Sequence, residues 1–121
     1  MKRSIILFLI LLITAGSYAG KRLIEDKNQV IEAAKADIEA AMKGPDGSLY
    51  KWAMENKAKG TYHLDITIHE RGKVATVFCS GSENGEIRFQ NELKDILMNF
   101  EFSFKTPKGR DYKFSYSFTF N

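Results

Sequence analysis

Aromatic and polar side chains alternate along the last segment of the chain. The aromatic residues are Tyr112, Phe114, Tyr116, Phe118 and Phe120, and the polar residues between them are Lys113, Ser115, Ser117 and Thr119. Successive side chains of a β-strand point to opposite faces, so this period of two predicts a strand with one buried and one exposed face. A chain that contains this segment is expected to fold around a sheet that is covered on one side only.

A second alternation of apolar and polar residues begins after Gly60. Its apolar residues are Tyr62, Leu64, Ile66 and Ile68, with His63, Asp65, Thr67 and His69 between them. A turn over Glu70 to Lys73 and a return strand over Val74 to Ser80 are predicted to follow. A two-residue loop at Arg71-Gly72 would set a register that pairs apolar residues on one face. The predicted pairs are Ile68 with Ala75, Ile66 with Val77 and Leu64 with Cys79, which places the single cysteine in the core as a small apolar residue.

Apolar residues recur with a period of about 3.6 in three other segments, as on the buried face of a helix. The predicted helices are Leu23 to Met42, Ser48 to Lys59 and Ile87 to Met98. Gly44-Pro45-Asp46-Gly47 is expected to end the first helix, and Gly60 to cap the second. Ser82 or Asn84 is the predicted N-cap of the third helix, after a loop over Ser80 to Gly85.

The order of elements is therefore α-α-β-β-α-(β)-β, where the strand in brackets is Phe100 to Lys105. This order predicts an α+β fold, with an antiparallel sheet of three to four strands and helices packed on one face. Phe100, Phe102 and Phe104 also alternate with polar residues. Either this segment forms a hairpin with the final strand across Thr106 to Asp111, or it is irregular.

The N-terminal residues have the three parts of a secretory signal peptide. A positive start, Lys2-Arg3, precedes an apolar run over Ile5 to Ile13 and the small residues Ser17 and Ala19. An uncleaved membrane anchor is the alternative, but crossing a bilayer takes about 20 apolar residues. We expect a signal peptide over residues 1–19, one domain over residues 20–121, and a periplasmic or secreted protein after cleavage near Ala19.

The charges of the chain do not indicate nucleic-acid binding. The sequence has 18 basic and 15 acidic residues, and loss of Lys2 and Arg3 with the signal would leave a net charge of about +1. Charges of both signs are interspersed, so the basic stripe of a nucleic-acid-binding protein is missing from the sequence. The sequence also contains no glycine-rich phosphate loop.

The sequence predicts a non-enzymatic protein without cofactor or metal. His63 and His69 lie on one strand about 20 Å apart, too far to share an ion. With a single cysteine, no Cys/His zinc cluster or internal disulfide is expected. No order of Ser, His and Asp residues, and no paired carboxylates, indicate a catalytic site.

The segment from Gly60 to Val74 resembles the start of the C-terminal domain of TonB proteins. It has that family's glycine, alternating strand, glycine turn and valine-led second strand. The similarity continues through the small residues Ser80 and Ser82, a helix leading into Phe102 to Pro107, and the aromatic last strand. It covers roughly Trp52 to Phe120.

The chain departs from this family in two places. Leu49-Tyr50-Lys51-Trp52 lacks the Tyr-Pro pair that precedes the family's first strand. No long proline-rich spacer follows Ala19, so the reach that an energy transducer needs to cross the periplasm is not predicted. The resemblance thus implies a free-standing exported domain with a TonB-like fold.

The resemblance also implies a binding site and a class of partner. Members of the family bind an extended segment of outer-membrane transporters beside the last strand. The matching positions here are Tyr112, Lys113, Phe114, Ser115, Tyr116, Ser117, Phe118 and Thr119. Their backbone groups would pair with a peptide or protein strand by β-augmentation, if the edge of the strand is free.

Three alternatives remain open from the sequence. Two copies of the chain could pair through the same edge strand and form a homodimer. An exported inhibitor or accessory protein could act through surface loops such as Thr106 to Asp111. A small hydrolase or metal-dependent enzyme would need a concave pocket near His63 or His69.

Overall fold

The computed structural model describes residues 21–121, so the predicted signal peptide lies outside the described residues. The helices are α1 (Lys27–Met42), α2 (Ser48–Asn56) and α3 (Ile87–Met98), and the strands are β1 (Arg22–Leu23), β2 (Gly60–Ile68), β3 (Val74–Glu83), β4 (Phe104–Lys105) and β5 (Tyr112–Phe120). A short 3-10 turn over Glu70–Gly72 joins β2 to β3. The predicted α+β class is confirmed. No helix in this part of the chain is long and apolar enough to cross a membrane.

The first helix begins four residues later than the sequence predicts. Asp26 is its N-cap, and the Asp26 carboxylate accepts a hydrogen bond from the Gln29 backbone N–H at 3.0 Å. This bond satisfies one of the N–H groups that a helix start leaves unpaired. The predicted start at Leu23 is wrong because that residue belongs to β1 and pairs with Lys105.

The second helix ends at Asn56, before the predicted end at Lys59, and its C-cap is Lys57 and not the predicted Gly60. Lys57 adopts the left-handed conformation with φ 54°, and its N–H donates to the Ala53 carbonyl. Gly60 is instead the first residue of β2, with φ 108°. A Cβ atom there would lie 2.7 Å from the Gly85 Cα, so both the backbone angle and the close approach require glycine.

The third helix has the predicted bounds but a different cap. Glu86 is its N-cap residue and makes no capping bond with its own side chain. Ser82 lies within β3, and Asn84 has a positive φ of 54°, so neither predicted cap is in place. The loop predicted over Ser80 to Gly85 is correspondingly shorter, because β3 continues to Glu83.

The sheet has three antiparallel strands in the order β3-β2-β5. The predicted pairs Ile66 with Val77 and Leu64 with Cys79 are confirmed, whereas Ile68 opposes Val74 and not Ala75. The difference arises because an irregularity at Ala75 adds a residue to β3, and a second irregularity at Ser80 adds another beyond the Leu64–Cys79 pair. Cys79 is half-buried and packs against the core, and its thiol donates to the Gly81 carbonyl at 3.3 Å.

All three helices cover one face of this sheet. Helix α1 contacts β5 and helix α3 contacts β3. Every second residue of β5 is buried or half-buried, and Lys113, Ser115, Ser117 and Thr119 between them are exposed, which confirms the predicted alternation. Aromatic rings join the layers: the Trp52 ring of α2 lies 5.5 Å from the Phe120 ring, edge to face.

The segment Phe100 to Lys105 does not pair with the last strand. Its only strand residues, Phe104–Lys105, form a short parallel ladder with β1. The Asp37 carboxylate of α1 accepts hydrogen bonds from the Ser103 backbone N–H at 2.8 Å and from its hydroxyl at 2.9 Å. This segment is therefore held beside α1, with Phe102 and Phe104 buried.

Candidate binding edge of the sheet

Strand β5 is an edge strand over its whole length. Its nine residues pair without interruption with β2, from Gly60 opposite Phe120 to Ile68 opposite Tyr112. Within residues 21–121, β5 has no second neighbouring strand. Its residues also take no part in the other hydrogen bonds between backbone groups of that range. One margin of β5 is therefore unpaired in the described structure.

The polar residues of β5 turn their backbone groups toward this margin. The His63 carbonyl accepts a hydrogen bond from the Ser80 hydroxyl at 3.2 Å, and the His69 N–H donates to the Lys73 carbonyl at 2.7 Å. Both bonds lie on the β3 side of β2. The backbone groups of the odd-numbered residues of β2 therefore point toward β3, and those of the even-numbered residues point toward β5. Each even-numbered residue of β2 lies opposite an even-numbered residue of β5, so the even-numbered residues of β5 form the backbone hydrogen bonds with β2. The outward backbone groups belong to Lys113, Ser115, Ser117 and Thr119.

The aromatic side chains of β5 are occupied in the core. Phe118 is fully buried, and Tyr112 is buried with its hydroxyl donating to the Glu25 carbonyl at 2.8 Å. Tyr116 is half-buried, and its pKa is raised because partial burial disfavours the phenolate and because Glu39 is negatively charged. These side chains hold the strand in place, so a partner would contact the strand mainly through the outward backbone groups of its polar residues.

The opposite face of β5 is flat and polar because its side chains bond across the strands. The Thr119 hydroxyl lies 3.1 Å from the Thr61 hydroxyl, and the Ser115 hydroxyl donates to the Asp65 carboxylate at 2.7 Å. Ser117 lies 2.7 Å from His63 Nδ1. These three side chains are short and bond to residues of β2, whereas Lys113 is the one long, exposed side chain of β5 on this face.

The other edge of the sheet is less suited to pairing. Strand β3 departs from a regular ladder at Ala75 and Ser80, and such bulges bend a strand and interrupt pairing. Phe78 projects from the exposed face of β3, with 64% of its surface accessible. The regular, unpaired margin is that of β5.

The two histidines lie in separate contacts, as the sequence predicts. His63 contacts Ser117 through Nδ1 and Glu83 through Nε2, the latter at 3.3 Å. His69 contacts Asp111, and this hydrogen bond raises the pKa of His69, as do the negative charges of Asp111 and Glu70. In residues 21–121, no cluster of three or more His, Cys, Asp or Glu side chains could hold a metal ion.

The Ser117–His63–Glu83 row was missed by sequence reasoning. It brings together the three residue types of a hydrolytic triad. Their proximity follows from the register of β2 with β3 and with β5, which the sequence alone does not predict in full. The His63 side chain is 40% accessible and that of Glu83 is 69% accessible. The row is therefore open to solvent on the exposed face of the sheet.

The loop from Thr106 to Asp111 is held in place at both ends by side-chain contacts. Thr106 is buried, and its hydroxyl donates to the His69 carbonyl at 2.6 Å and accepts from the Gly72 N–H at 2.9 Å. Asp111 contacts His69 at the other end. Between them, Lys108, Gly109 and Arg110 are exposed. The loop is thus a fixed connection with a short exposed tip.

Comparison with protein-family models, with curated proteins and with solved structures gives no significant match for this chain. The resemblance to the TonB C-terminal domain therefore stays a prediction from the sequence.

Proposed function

We propose that this protein is an exported, non-enzymatic interaction module that binds an extended peptide or protein segment along the free margin of β5. The observation that carries the proposal is the nine-residue strand β5, which within residues 21–121 pairs with β2 only. A partner strand would complete the hydrogen bonding of Lys113, Ser115, Ser117 and Thr119. Export is proposed from the predicted signal peptide, and a free-standing TonB-like domain from the element order.

The geometry suits pairing because the strand is already ordered. Its core-facing side chains are buried, so little conformational entropy remains to be lost by the module when a partner docks. The partner contributes most of the ordering cost, since an extended peptide is flexible before it binds. Weak main-chain recognition without strong sequence preference is therefore the expected basal behaviour, and an outer-membrane transporter segment is one candidate partner.

A proline substitution in β5 tests the proposal. The Ser117→Pro variant removes a backbone N–H that faces the free margin, while the bonds between β2 and β5 use the neighbouring residues. Peptides selected by the purified protein from a random displayed library should bind this variant at least about tenfold more weakly, because several ladder bonds depend on that position. Fluorescence anisotropy measures the affinity.

Two variants control this experiment. Ser117→Ala removes the contact with His63 and leaves the backbone N–H, so its affinity should equal that of the parent protein. Ser82→Pro makes the equivalent change at the outer margin of β3, because Ser82 opposes an even-numbered residue of β2. Circular dichroism verifies folding. Full affinity in a folded Ser117→Pro variant, or a loss confined to Ser82→Pro, would contradict the proposal.

A further inference from the structure

An apolar cavity of about 570 Å³ lies where β5 ends against the helices. Its walls include Met42 at the end of α1, Ala53 and Met54 on α2, and Phe120. Met54 is a large apolar residue that is nevertheless 64% exposed. The volume falls in the range of roughly 300–1,000 Å³ that is typical of ligand pockets. The cavity is therefore large enough to hold a whole apolar side chain.

This cavity reaches the last residues of β5. Thr119 lines it as well as Phe120, although the side chains of these two residues lie on opposite faces of the sheet. Residues that are directly opposite each other in neighbouring strands point to the same face. A docked strand would therefore direct the side chain opposite Phe120 toward the helix layer, where the cavity lies.

Two basic side chains line the cavity, those of Lys57 and Lys59, and no Asp or Glu side chain is among its lining residues. Neither lysine forms an ion pair with another residue of the range 21–121. A carboxylate beside the apolar side chain of a partner would be complementary to these two ammonium groups.

We propose that this cavity selects the partner of β5: an extended peptide with a large apolar residue at the end of the paired segment and an acidic residue next to it. The inference rests on the proposed function, since the cavity can bind a side chain of the peptide only if the peptide pairs with β5. The apolar residue fills the cavity and the carboxylate lies near Lys57 and Lys59. Backbone pairing thus supplies the geometry, and the cavity supplies the sequence preference.

Designed peptides test this proposal with a defined probe. The parent probe is a blocked, fluorescently labelled nonapeptide of alternating Thr and Val, and in each of its derivatives one Val is replaced by Phe. Phe should strengthen binding to the purified protein only when it lies near one end of the peptide. The expected gain is about tenfold or more, because burial of an aromatic side chain contributes a free energy of that size. Asp beside that Phe should strengthen binding further, Lys should weaken it, and added salt should reduce the difference.

Variants of the cavity show which wall is responsible. Ala53→Leu fills the cavity and Met54→Ser removes an apolar wall at an exposed position, so both should abolish the gain from Phe and keep the parent affinity. Replacing Lys57 and Lys59 with Gln should abolish the preference for Asp. Lys51→Gln is the matched control, because Lys51 is an exposed lysine of α2 that does not line the cavity.

The outcomes separate the two proposals. If the parent peptide binds and Ser117→Pro abolishes its binding, but Phe gives no gain, the cavity proposal is overturned and the proposed function stands. If no peptide of the set binds the wild-type protein, both are overturned. Sedimentation of the protein alone, at several concentrations, gives the last outcome. Self-association that Ala53→Leu abolishes would assign the cavity to a second copy of the chain and would also overturn the proposal.

Discussion

The Tyr62 hydroxyl accepts a hydrogen bond from the backbone N–H of Glu86 at 3.0 Å, the N-cap residue of α3. The same hydroxyl donates to the Lys59 carbonyl at 2.8 Å. Tyr62 is fully buried, and a Cβ atom on Gly85 would lie 2.7 Å from its ring. One side chain of β2 therefore fixes both the end of the α2–β2 connection and the chain that enters α3.

Removal of this hydroxyl should destabilise the fold. The Tyr62→Phe variant leaves the Lys59 carbonyl and the Glu86 N–H without their partner, at a cost of about 1–3 kcal/mol in the free energy of unfolding. Urea denaturation measures the change. Tyr50→Phe, which alters a half-buried tyrosine outside this contact, should change the free energy of unfolding by less than about 0.5 kcal/mol. Equal stabilities for the two variants would contradict this role of Tyr62.

The cap of α3 shows where local sequence reasoning fails. Ser82 and Asn84 are good capping residues by type and lie close to the helix start. The bond that stabilises the N-cap residue comes instead from Tyr62, 24 positions away, and depends on how β2 packs against the helix. Periodicity predicted both bounds of α3 correctly, because its apolar residues have to face the sheet whatever caps the helix.

The Thr106 hydroxyl should contribute about as much to the free energy of unfolding as the Tyr62 hydroxyl. It bonds to the Gly72 N–H and the His69 carbonyl at a buried position, where an unpaired polar group is costly. The Thr106→Val variant keeps the shape and loses both bonds, so we expect a loss of about 1–3 kcal/mol in the free energy of unfolding. Thr106→Ser keeps the hydroxyl and should lose clearly less. A valine variant as stable as the serine variant would show that these bonds contribute little.

The contact between His69 and Asp111 should make part of the stability depend on pH. The hydrogen bond to Asp111 raises the pKa of His69 above its ordinary value of 6.5, so the folded state binds the proton more tightly than the unfolded state. The stabilisation is then fully present below about pH 6.5 while Asp111 stays ionised, and it is lost as the pH rises through the folded pKa.

Thermal denaturation of the wild type and of Asp111→Asn at several pH values measures this effect. The difference in Tm should be larger at about pH 5.5 than at about pH 8.5, because His69 loses its proton as the pH rises. The NMR titration of His69 should shift to lower pH in the variant. A His69 titration that does not change with Asp111→Asn would contradict the assignment.

The candidate site is predictable from the sequence only in part. The alternation of β5 predicts its buried and exposed faces, because each aromatic residue has to be buried on one side. Whether the margin is free depends on Phe100 to Lys105, whose own alternation equally allows a hairpin. The structure pairs this segment with β1 through contacts that are more than 80 positions apart. The cavity at Phe120 combines residues of α1, α2 and β5, so no local pattern indicates it.

Hydrogen exchange should show the free margin of β5 directly. The backbone N–H groups of Phe114, Tyr116 and Phe118 bond to β2, whereas those of Ser115 and Ser117 face outward without a partner strand in the described structure. The outward amides should exchange at least about tenfold faster, because their exchange needs no opening of the sheet. Amide exchange followed by NMR measures each rate, and Leu64 in the central strand provides a protected reference.

Binding of a peptide along this margin should slow exchange at Ser115 and Ser117 and leave the neighbouring amides unchanged. Strong protection of both serines in the free protein would mean that the margin is already covered.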